Sequence, residues 1–297
     1  MASAAPPAFA PDPALRGRLE RLAIVSTRAH GHLHTGGRRS RAVGSSIEFA
    51  DHRRYSPGDD FRQIDWNIYA RSDDLFIKTR ESEETLVVHL LLDTSASMST
   101  GQPSKFELAR LVLAALGWVA LAGHDLLAGA CFGASLGDAF VPVSGRANAD
   151  RFFEFLARQT PSGGTGLAMA ARAYAARGIP HGVAILASDL LSPEATVAVG
   201  LLAERGHELT VLHVLDADFL RPDFAEDAEL RDIEGGPAVP VFGDMELLAA
   251  YRATVSTWLG EVQRFCHQRN VRYVPVESDW PADEVLVRRL RAQGVVA

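Results

Sequence analysis

The stretch TLVVHLLLDTSAS, residues 85–97, decides the fold of this chain. Its first eight residues, Thr85 to Leu92, form an almost continuous apolar run that contains β-branched side chains. Such a run is typical of a β-strand that is buried on both faces. The acidic and hydroxyl residues Asp93, Ser95 and Ser97 follow it directly. The stretch therefore predicts a central strand with polar side chains at its carboxyl end.

Downstream of this strand, apolar strands alternate with amphipathic helices. We predict strands at 125–132, 139–143, 182–187, 208–215 and 271–276, the first two as a hairpin-like pair. We predict helices at 105–122, 148–159, 165–177, 193–205, 244–269 and 282–293, with a polar insert around 216–243. The alternation predicts an α/β fold with a doubly wound, mostly parallel sheet. In such sheets ligands bind beyond the carboxyl ends of the strands, near the switch in strand order.

Three segments describe the domain organisation. Residues 1–13 are rich in Ala and Pro and are expected to be disordered. Residues 14–83 are expected to hold a short helix, with Leu15, Leu19 and Leu22 at helical spacing, and then an irregular loop at 30–44. Residues 84–297 form the α/β domain.

Composition favours a soluble cytoplasmic protein. Of 297 residues, 47% are hydrophobic and 23% are charged, which is ordinary for a globular chain. Two isolated cysteines, Cys131 and Cys266, provide no disulfide framework and fit a reducing compartment. The N-terminus does not resemble a signal peptide, and the longest apolar run, Leu108 to Ala122, is too short to span a bilayer. We therefore expect a cytoplasmic location and no membrane insertion.

The first 80 residues are net basic, although the whole chain has a formal charge of −7. The basic stretch contains Arg38, Arg39, Arg41, Arg53 and Arg54. These side chains could bind nucleic acid or an acidic partner, or they could pair with the aspartates of the same segment. The histidines of this region, His30, His32 and His34, have a spacing compatible with transition-metal binding, although such a loop is more often solvated.

Three loops at the predicted sheet edge offer oxygen ligands. They contain Asp93, Ser95 and Ser97, then Ser162-Gly163-Gly164-Thr165, and then Ser188-Asp189. Carboxylate and hydroxyl oxygens without His or Cys suit Mg²⁺ or Mn²⁺. Each loop could instead only cap a helix, because Ser, Thr and Asp are common N-cap residues. What favours a metal site is that all three loops occur at strand ends or helix starts of one sheet.

The same residues resemble a known metal site. The strings LLDTSASM at 91–98, GGTGL at 163–167 and ASD at 187–189 resemble the metal-ion-dependent adhesion site of von Willebrand factor A domains. The resemblance implies one Mg²⁺ held by Asp93, Ser95, Ser97, Thr165 and Asp189. It also implies an open coordination position that an Asp or Glu of a protein partner fills.

A second resemblance covers the segment before the α/β domain. It consists of Gly44–Phe49, the run RYSPGDDFRQIDW at 54–66, and Ala70-Arg71, and it is similar to the signature of the bacterial family called domain of unknown function 58. The signature residues are Arg54, Tyr55, Pro57, Gly58, Asp59, Asp60, Arg62, Asp65, Trp66 and Arg71. Members of that family join this signature to a von Willebrand A-like domain and commonly accompany MoxR-type AAA+ ATPases, which implies such an ATPase as partner.

The role of this signature segment has two interpretations. Its arginines and aspartates could form a buried ion-pair clamp, with Trp66 and Tyr69 as the apolar part, that holds the segment onto the main domain. Alternatively, the segment could be a surface that binds a partner directly.

Taken together, the motifs predict a non-enzymatic, Mg²⁺-dependent adaptor that works with a MoxR-type ATPase in assembling or maturing a protein complex. The alternatives are a metal-dependent phosphoester hydrolase and a nucleic-acid-binding module. A dehalogenase-type phosphatase needs a second Asp two residues after the first, where this chain has Ser95. It also needs a lysine, and no lysine follows Asp189 closely along the chain.

Overall fold

The structure is a computed structural model and describes residues 11–26, 51–56, 61, 64–72, 74–79, 86–222, 228–230, 233, 239–241 and 245–297. The chain divides into two compact units. The large unit comprises Met1–Arg28 and Thr85–Ala297, and the small unit comprises Ala29–Glu84.

The elements of both units are numbered here in chain order. The strands are β1 (Asp51–Arg54), β2 (Phe76–Thr79), β3 (Val87–Asp93), β4 (Leu126–Phe132), β5 (Leu136–Val143), β6 (Val183–Ser188), β7 (Glu208–Leu215), β8 (Ala228–Leu230), β9 (Val239–Val241) and β10 (Arg272–Glu277). The helices are α1 (Pro13–Leu19), α2 (Trp66–Ser72), α3 (Lys105–Ala122), α4 (Ala149–Ala157), α5 (Leu167–Ala175), α6 (Ala195–Glu204), α7 (Ala217–Leu220), α8 (Met245–Gln268) and α9 (Ala282–Glu284), which continues as a π-helix over Val285–Leu290.

The large unit is built on one six-stranded sheet in the order β10-β7-β6-β3-β4-β5. All neighbours are parallel except the edge pair β4–β5, which is antiparallel. The predicted α/β fold with a mostly parallel sheet is therefore confirmed. The strand order reverses between β3 and β6, so the carboxyl ends of these two strands form the switch point at which such sheets bind ligands.

Helices cover both faces of the sheet, which makes the fold doubly wound. On one face, α3 and α4 pack with β3 around buried residues such as Leu116 and Phe152. On the other face, α5, α6 and α8 pack around buried residues such as Leu167, Val199 and Val262. Every residue of β3 is buried, as expected for a central strand between two helical layers.

Helix α3 has the bounds that the sequence predicts, and its start has a local cause. Ser104 Oγ accepts from the backbone N–H of Glu107, and the Glu107 carboxylate accepts from the N–H of Ser104, which together form a capping box. Strand β7 also has its predicted bounds. Within the described residues, no helix combines the length and apolar character that a membrane crossing requires.

The N-terminal helix belongs to the large unit, which corrects the predicted grouping of residues 14–83. Asp12 caps α1 by accepting from the N–H of Leu15 at 2.6 Å, and Leu15 and Leu19 join the core beside α3. Ile24 then pairs antiparallel with Val296 near the C-terminus. The apolar spacing shows the helix, but only the fold shows which core it enters.

The small unit contains elements that the sequence analysis left unassigned. Strands β1 and β2 form an antiparallel pair, with Arg54 opposite Phe76, and α2 lies between them in the chain. In the predicted polar insert of the large unit, α7 and the antiparallel pair β8–β9 occur. Short strands bounded by polar residues give little periodic signal, which is why these were not predicted.

Helix α3 makes a close approach to α4 at Gly117. A Cβ added there would lie 2.3 Å from Cε1 of Phe152, whose ring is fully buried and packs against Phe140 and Phe155. We expect Gly117→Ala to destabilise the protein by about 1–3 kcal/mol through overpacking. Urea unfolding monitored by circular dichroism measures the effect.

Gly260→Ala in α8 is the matched control, because nothing lies within 4 Å of its added Cβ. It should raise the stability by roughly 0.5–1 kcal/mol, the helix-propensity difference between Gly and Ala. Equal effects at the two positions would contradict the close packing of α3 on α4.

Candidate metal centre

Asp93 and Ser188 meet at the switch point. They are the last residues of the paired strands β3 and β6. Ser188 Oγ donates to Asp93 Oδ2 at 2.6 Å, and the N–H of Ser95 donates to Asp93 Oδ1 at 2.9 Å. Asp93 has no solvent exposure, so both of its carboxylate oxygens are held by these short contacts inside the protein.

The two predicted serine ligands lie beside this carboxylate. After Asp93 the chain turns into a short 3-10 helix, Ala96–Ser99, which brings Ser95 Oγ and Ser97 Oγ within 3.1 Å of each other. Both side chains are buried. Neither caps α3, whose cap is Ser104. Helix capping therefore does not account for the paired hydroxyls.

The loop that contains Thr165 contacts the Asp93 loop through its backbone. The N–H of Ser162 donates to the carbonyl of Thr94, and the N–H of Ala96 donates to the carbonyl of Gly163, both at 2.9 Å. Gly163 has a φ of 71°, which a glycine adopts without strain. Thr165 is half-buried, and the N-cap position of α5 belongs to Gly166 and not to Thr165. The structure thus joins the first two predicted loops at one place.

Asp189 follows β6, and a buried lysine neutralises it. Lys105 Nζ lies 2.6 Å from Asp189 Oδ2, and both side chains are almost completely buried. The other carboxylate oxygen, Oδ1, accepts from the N–H of Leu191 at 3.2 Å. Lys105 precedes Asp189 by 84 positions and reaches it only through the fold, so no local pattern in the sequence predicts this contact.

Asp216 adds a third carboxylate to this edge of the sheet, and it was not among the residues predicted for the site from the sequence. It follows β7, is buried, and lies 3.9 Å from Lys105 Nζ through Oδ2. Thr100 Oγ1 lies 2.7 Å from Asp216 Oδ2 and 3.2 Å from the carbonyl of Ser97. Thr100 therefore connects the end of β7 to the serine loop.

His213 positions the backbone of Asp189. Its Nε2 lies 2.8 Å from the carbonyl oxygen of Asp189 and therefore carries the proton, while Nδ1 accepts from the hydroxyl of Tyr273 at 2.7 Å. Burial lowers the pKa of His213 to about 4, so the ring is neutral at physiological pH. Leu190, which follows Asp189 in the chain, has a φ of 52°, a left-handed conformation that costs about 1–3 kcal/mol in a non-glycine residue.

The charges of this cluster favour a cation. Burial, together with the nearby charge of Asp189, raises the pKa of Asp93 to about 6, although hydrogen bonds from Ser188 and Ser95 lower it. Three carboxylates, those of Asp93, Asp189 and Asp216, are buried at this edge of the sheet, and the one buried ammonium there is that of Lys105. A divalent cation would balance the difference.

The donor atoms fit a hard cation. Asp93, Ser95 and Ser97 present carboxylate and hydroxyl oxygens, the ligands that suit Mg²⁺ or Mn²⁺. Within the described ranges, no group of three or more His, Cys, Asp or Glu side chains could hold a metal ion. The five predicted ligands instead combine two carboxylates with three hydroxyls.

The family signature lies in the small unit and is described in part. Asp65 Oδ1 accepts from the N–H groups of Asn67 and Ile68 and so caps α2. Arg54 pairs with Asp74 at 2.9 Å on the surface, and Arg71 is exposed. Tyr55 pairs through its backbone with Leu75. Pro57, Gly58, Asp59, Asp60 and Arg62 lie outside the described residues.

The aromatic residues of the signature are not buried. Trp66 is 60% exposed and Tyr69 is 39% exposed, with their rings in edge-to-face contact at 6.0 Å. The interpretation of these two rings as the apolar part of a clamp onto the main domain stays a prediction. The loop with His30, His32 and His34, the arginines Arg38, Arg39 and Arg41, and the side chain of Arg53 lie outside the described residues.

The fold and this edge together define a doubly wound α/β protein that gathers acidic and hydroxyl side chains at its topological switch point. The chain belongs to the family described as Protein of unknown function DUF58, whose model matches residues 51–255. This match confirms the resemblance that the signature segment indicates.

The curated relatives are bacterial. They include uncharacterized proteins Rv1480 of Mycobacterium tuberculosis H37Rv and Mb1516 of Mycobacterium bovis, each 28% identical over 296 residues, which is 96% of this chain and 92% of the relative. Two crystal structures are similar to 70% of this chain. One is the conserved hypothetical protein BatB from Bacteroides thetaiotaomicron; the similarity covers 98% of that chain, with 19% sequence identity and a TM-score of 0.44. The other is an aerotolerance-related membrane protein from Bacteroides fragilis; the similarity covers 99% of that chain, with 20% sequence identity and a TM-score of 0.40.

We expect Asp93→Asn to stabilise the metal-free protein. In a chelator at pH 8 the buried Asp93 is ionised at a cost, and the isosteric amide removes that charge, so we expect a gain of about 1–3 kcal/mol. The raised pKa fixes the sign of the pH dependence. The gain should shrink as the pH falls from about 6 towards 4, because the folded wild type then takes up the proton. Urea unfolding across this pH range measures it.

Glu261→Gln, an exposed position in α8, serves as the charge control and should change the stability little. A loss of stability in Asp93→Asn at pH 8 would show that Asp93 is compensated without a metal.

Proposed function

We propose that this chain is a non-enzymatic adaptor that binds Mg²⁺, or Mn²⁺, and uses the ion to bind a protein partner. The proposed ligands are Asp93, Ser95, Ser97, Thr165 and Asp189. The observation that carries the proposal is the cluster at the switch point. There Ser95 hydrogen-bonds Asp93, the hydroxyls of Ser95 and Ser97 lie 3.1 Å apart, and the charge of Asp189 acts on Asp93. The imbalance of buried charge at this edge is what a divalent cation would remove.

The topology supports the von Willebrand A-like assignment within this proposal. Read from the β5 edge, the sheet has the order β5-β4-β3-β6-β7-β10. If its six strands are numbered from first to sixth along the chain, this order is 3-2-1-4-5-6, and the third strand, β5, is antiparallel to its neighbour. This is the order of doubly wound dinucleotide-binding sheets, but here acidic and hydroxyl side chains stand where those sheets carry a glycine-rich phosphate loop. The five proposed ligands come from three loops of this edge.

The chain's own residues would prepare the site for a partner. Ser188 and the N–H of Ser95 orient the Asp93 carboxylate, and His213 fixes the backbone of Asp189. When bound, the ion would supply a positive charge with an open coordination position for a carboxylate. A partner that offers an Asp or Glu side chain is therefore the class of ligand that we propose.

Two features support a binding role over catalysis. Asp93 is fully buried, and both of its oxygens accept hydrogen bonds, so it is not poised to attack a phosphorus atom. Lys105 is paired with Asp189 instead of facing an open site. A metal-dependent phosphoester hydrolase remains the alternative, and it has gained Lys105 as a potential catalytic group.

The partner we propose is a MoxR-type AAA+ ATPase, with a role in assembling or maturing a protein complex in the cytoplasm. The support for this ATPase is the family resemblance of the signature segment. The support for the location is that Cys131 and Cys266 are buried free thiols. For the nucleic-acid alternative, Arg54 offers little, because its guanidinium already pairs with Asp74.

The adaptor proposal predicts that partner binding depends on metal and on Asp93. In binding assays with a purified MoxR-type ATPase of the same organism, wild type should bind in Mg²⁺ and lose binding in EDTA. Asp93→Ala should bind at least about tenfold more weakly in Mg²⁺, a loss of about 1.4 kcal/mol or more. Glu261→Ala, which removes an exposed charge, should bind like wild type. Equal binding of wild type in Mg²⁺ and in EDTA would exclude a metal bridge.

The adaptor proposal also predicts the absence of turnover. Wild-type protein with Mg²⁺ or Mn²⁺ should not hydrolyse p-nitrophenyl phosphate or bis-p-nitrophenyl phosphate above the buffer rate. Parallel assays on Asp93→Ala and Lys105→Met identify a contaminating phosphatase, whose activity both variants would retain. Turnover that both substitutions abolish would favour the hydrolase.

A further inference from the structure

Lys105 is the first residue of α3 and one of two lysines in the chain. Only 2% of its side chain is exposed. Its ammonium lies 2.6 Å from Asp189 Oδ2 and 3.9 Å from Asp216 Oδ2. Its backbone N–H donates to the carbonyl of Thr100, so the start of α3 is joined to the loop that carries the two serines. Lys105 is thus part of the candidate metal centre.

A buried ammonium is held in place only by opposite charge and hydrogen bonds, because its desolvation is costly. Here Asp189 supplies the short contact and Asp216 the longer one. Asp216 is held in turn by Thr100 and by the N–H of Phe219, at 2.7 Å each. The two carboxylates therefore share one cation between the ends of β6 and β7.

The same Asp189 carboxylate belongs to the proposed metal ligands. A divalent cation at Asp93 and the ammonium of Lys105 would both be attracted to Asp189, and they would repel each other across it. The repulsion is strong in a buried site because little solvent lies between the charges. Lys105 must therefore weaken metal binding, and the metal-free protein must depend on Lys105 to neutralise Asp189.

We infer that Lys105 is a built-in counter-cation that competes with the metal for Asp189. It keeps the site folded without metal, and it sets the metal affinity low enough that stable binding requires a partner's carboxylate. This inference rests on the proposed function, because it concerns the same Mg²⁺ site. This competition would regulate the adaptor, because the metal and the partner would bind together and neither would bind tightly alone.

The test measures Mn²⁺ binding to the full chain by electron paramagnetic resonance, together with the melting temperature in EDTA and in Mg²⁺. Lys105→Met keeps the length of the side chain and removes its charge. We expect its dissociation constant for Mn²⁺ to fall at least about tenfold and its melting temperature in EDTA to fall. The rise in melting temperature on adding Mg²⁺ should be larger than in wild type, because bound ligand stabilises the folded state.

Asp216→Asn should change the Mn²⁺ affinity in the direction opposite to that of Lys105→Met. Its remaining carbonyl oxygen can still accept from the N–H of Phe219, but the charge that shares Lys105 is lost. Lys105 should then pair more strongly with Asp189, and the dissociation constant for Mn²⁺ should rise about threefold or more. A purely structural role of this network would weaken metal binding in both variants, so Lys105→Met is the variant that separates the two explanations. If Lys105→Met does not fold in EDTA, its response to Mn²⁺ decides the inference, because a bound cation that replaces the ammonium at Asp189 should restore the folded state. Failure to fold in saturating Mn²⁺ would overturn the inference.

Lys78→Met, the same substitution at the other lysine, controls for the change in net charge and should bind Mn²⁺ like wild type. Wild-type or weaker Mn²⁺ binding by Lys105→Met, or tighter binding by Asp216→Asn, would overturn the inference. The proposed function is decided separately by Asp93→Ala. If wild type binds Mn²⁺ and Asp93→Ala does not, the metal site stands whatever Lys105 does. If Asp93→Ala binds like wild type, the proposed function fails.

Discussion

The buried ion pair between Lys105 and Asp189 is the contact on which the polar edge of the large unit depends. It joins the first residue of α3 to the end of β6, and through Asp216 it reaches the end of β7. Because a charge inside a protein must be compensated, these elements cannot move apart without leaving a carboxylate or an ammonium unpaired. The geometry of the serine loop follows, since Thr100 bridges Asp216 to Ser97.

Around this contact, the polar groups have little freedom. Ser188 and Ser95 hold Asp93, and His213 holds the carbonyl of Asp189. Leu190 accepts a left-handed backbone conformation directly beside it. The energetic cost of this backbone conformation is tolerated because helices pack their apolar side chains against both faces of the sheet. A rigid base with an expensive polar edge is typical of binding and catalytic sites, where stability is given up for preorganisation.

The small unit presents a different kind of surface. The family model extends across it and most of the large unit, from residue 51 to residue 255. Asp65 is used to cap α2, whereas Trp66 and Tyr69 remain exposed. Both interpretations of this segment, a clamp onto the main domain and a partner-binding surface, stay predictions.

The sequence by itself determined the class of fold and the main strands and helices. The run from Thr85 to Leu92 and the capped helix at 105–122 carry their signals locally, in apolar periodicity and in the capping residues, and no distant contact is needed to recognise them. The sequence also marked Asp93, Ser95 and Ser97, because alternate residues after a buried strand share one edge of the sheet. Only the tertiary structure decided that Lys105, Asp216 and His213 belong beside Asp189, that α1 enters the large core, and that Trp66 is exposed. These depend on which strand ends become neighbours and on which core a helix joins. Such facts come from the packing of segments far apart in the chain, and no local pattern of residues encodes them.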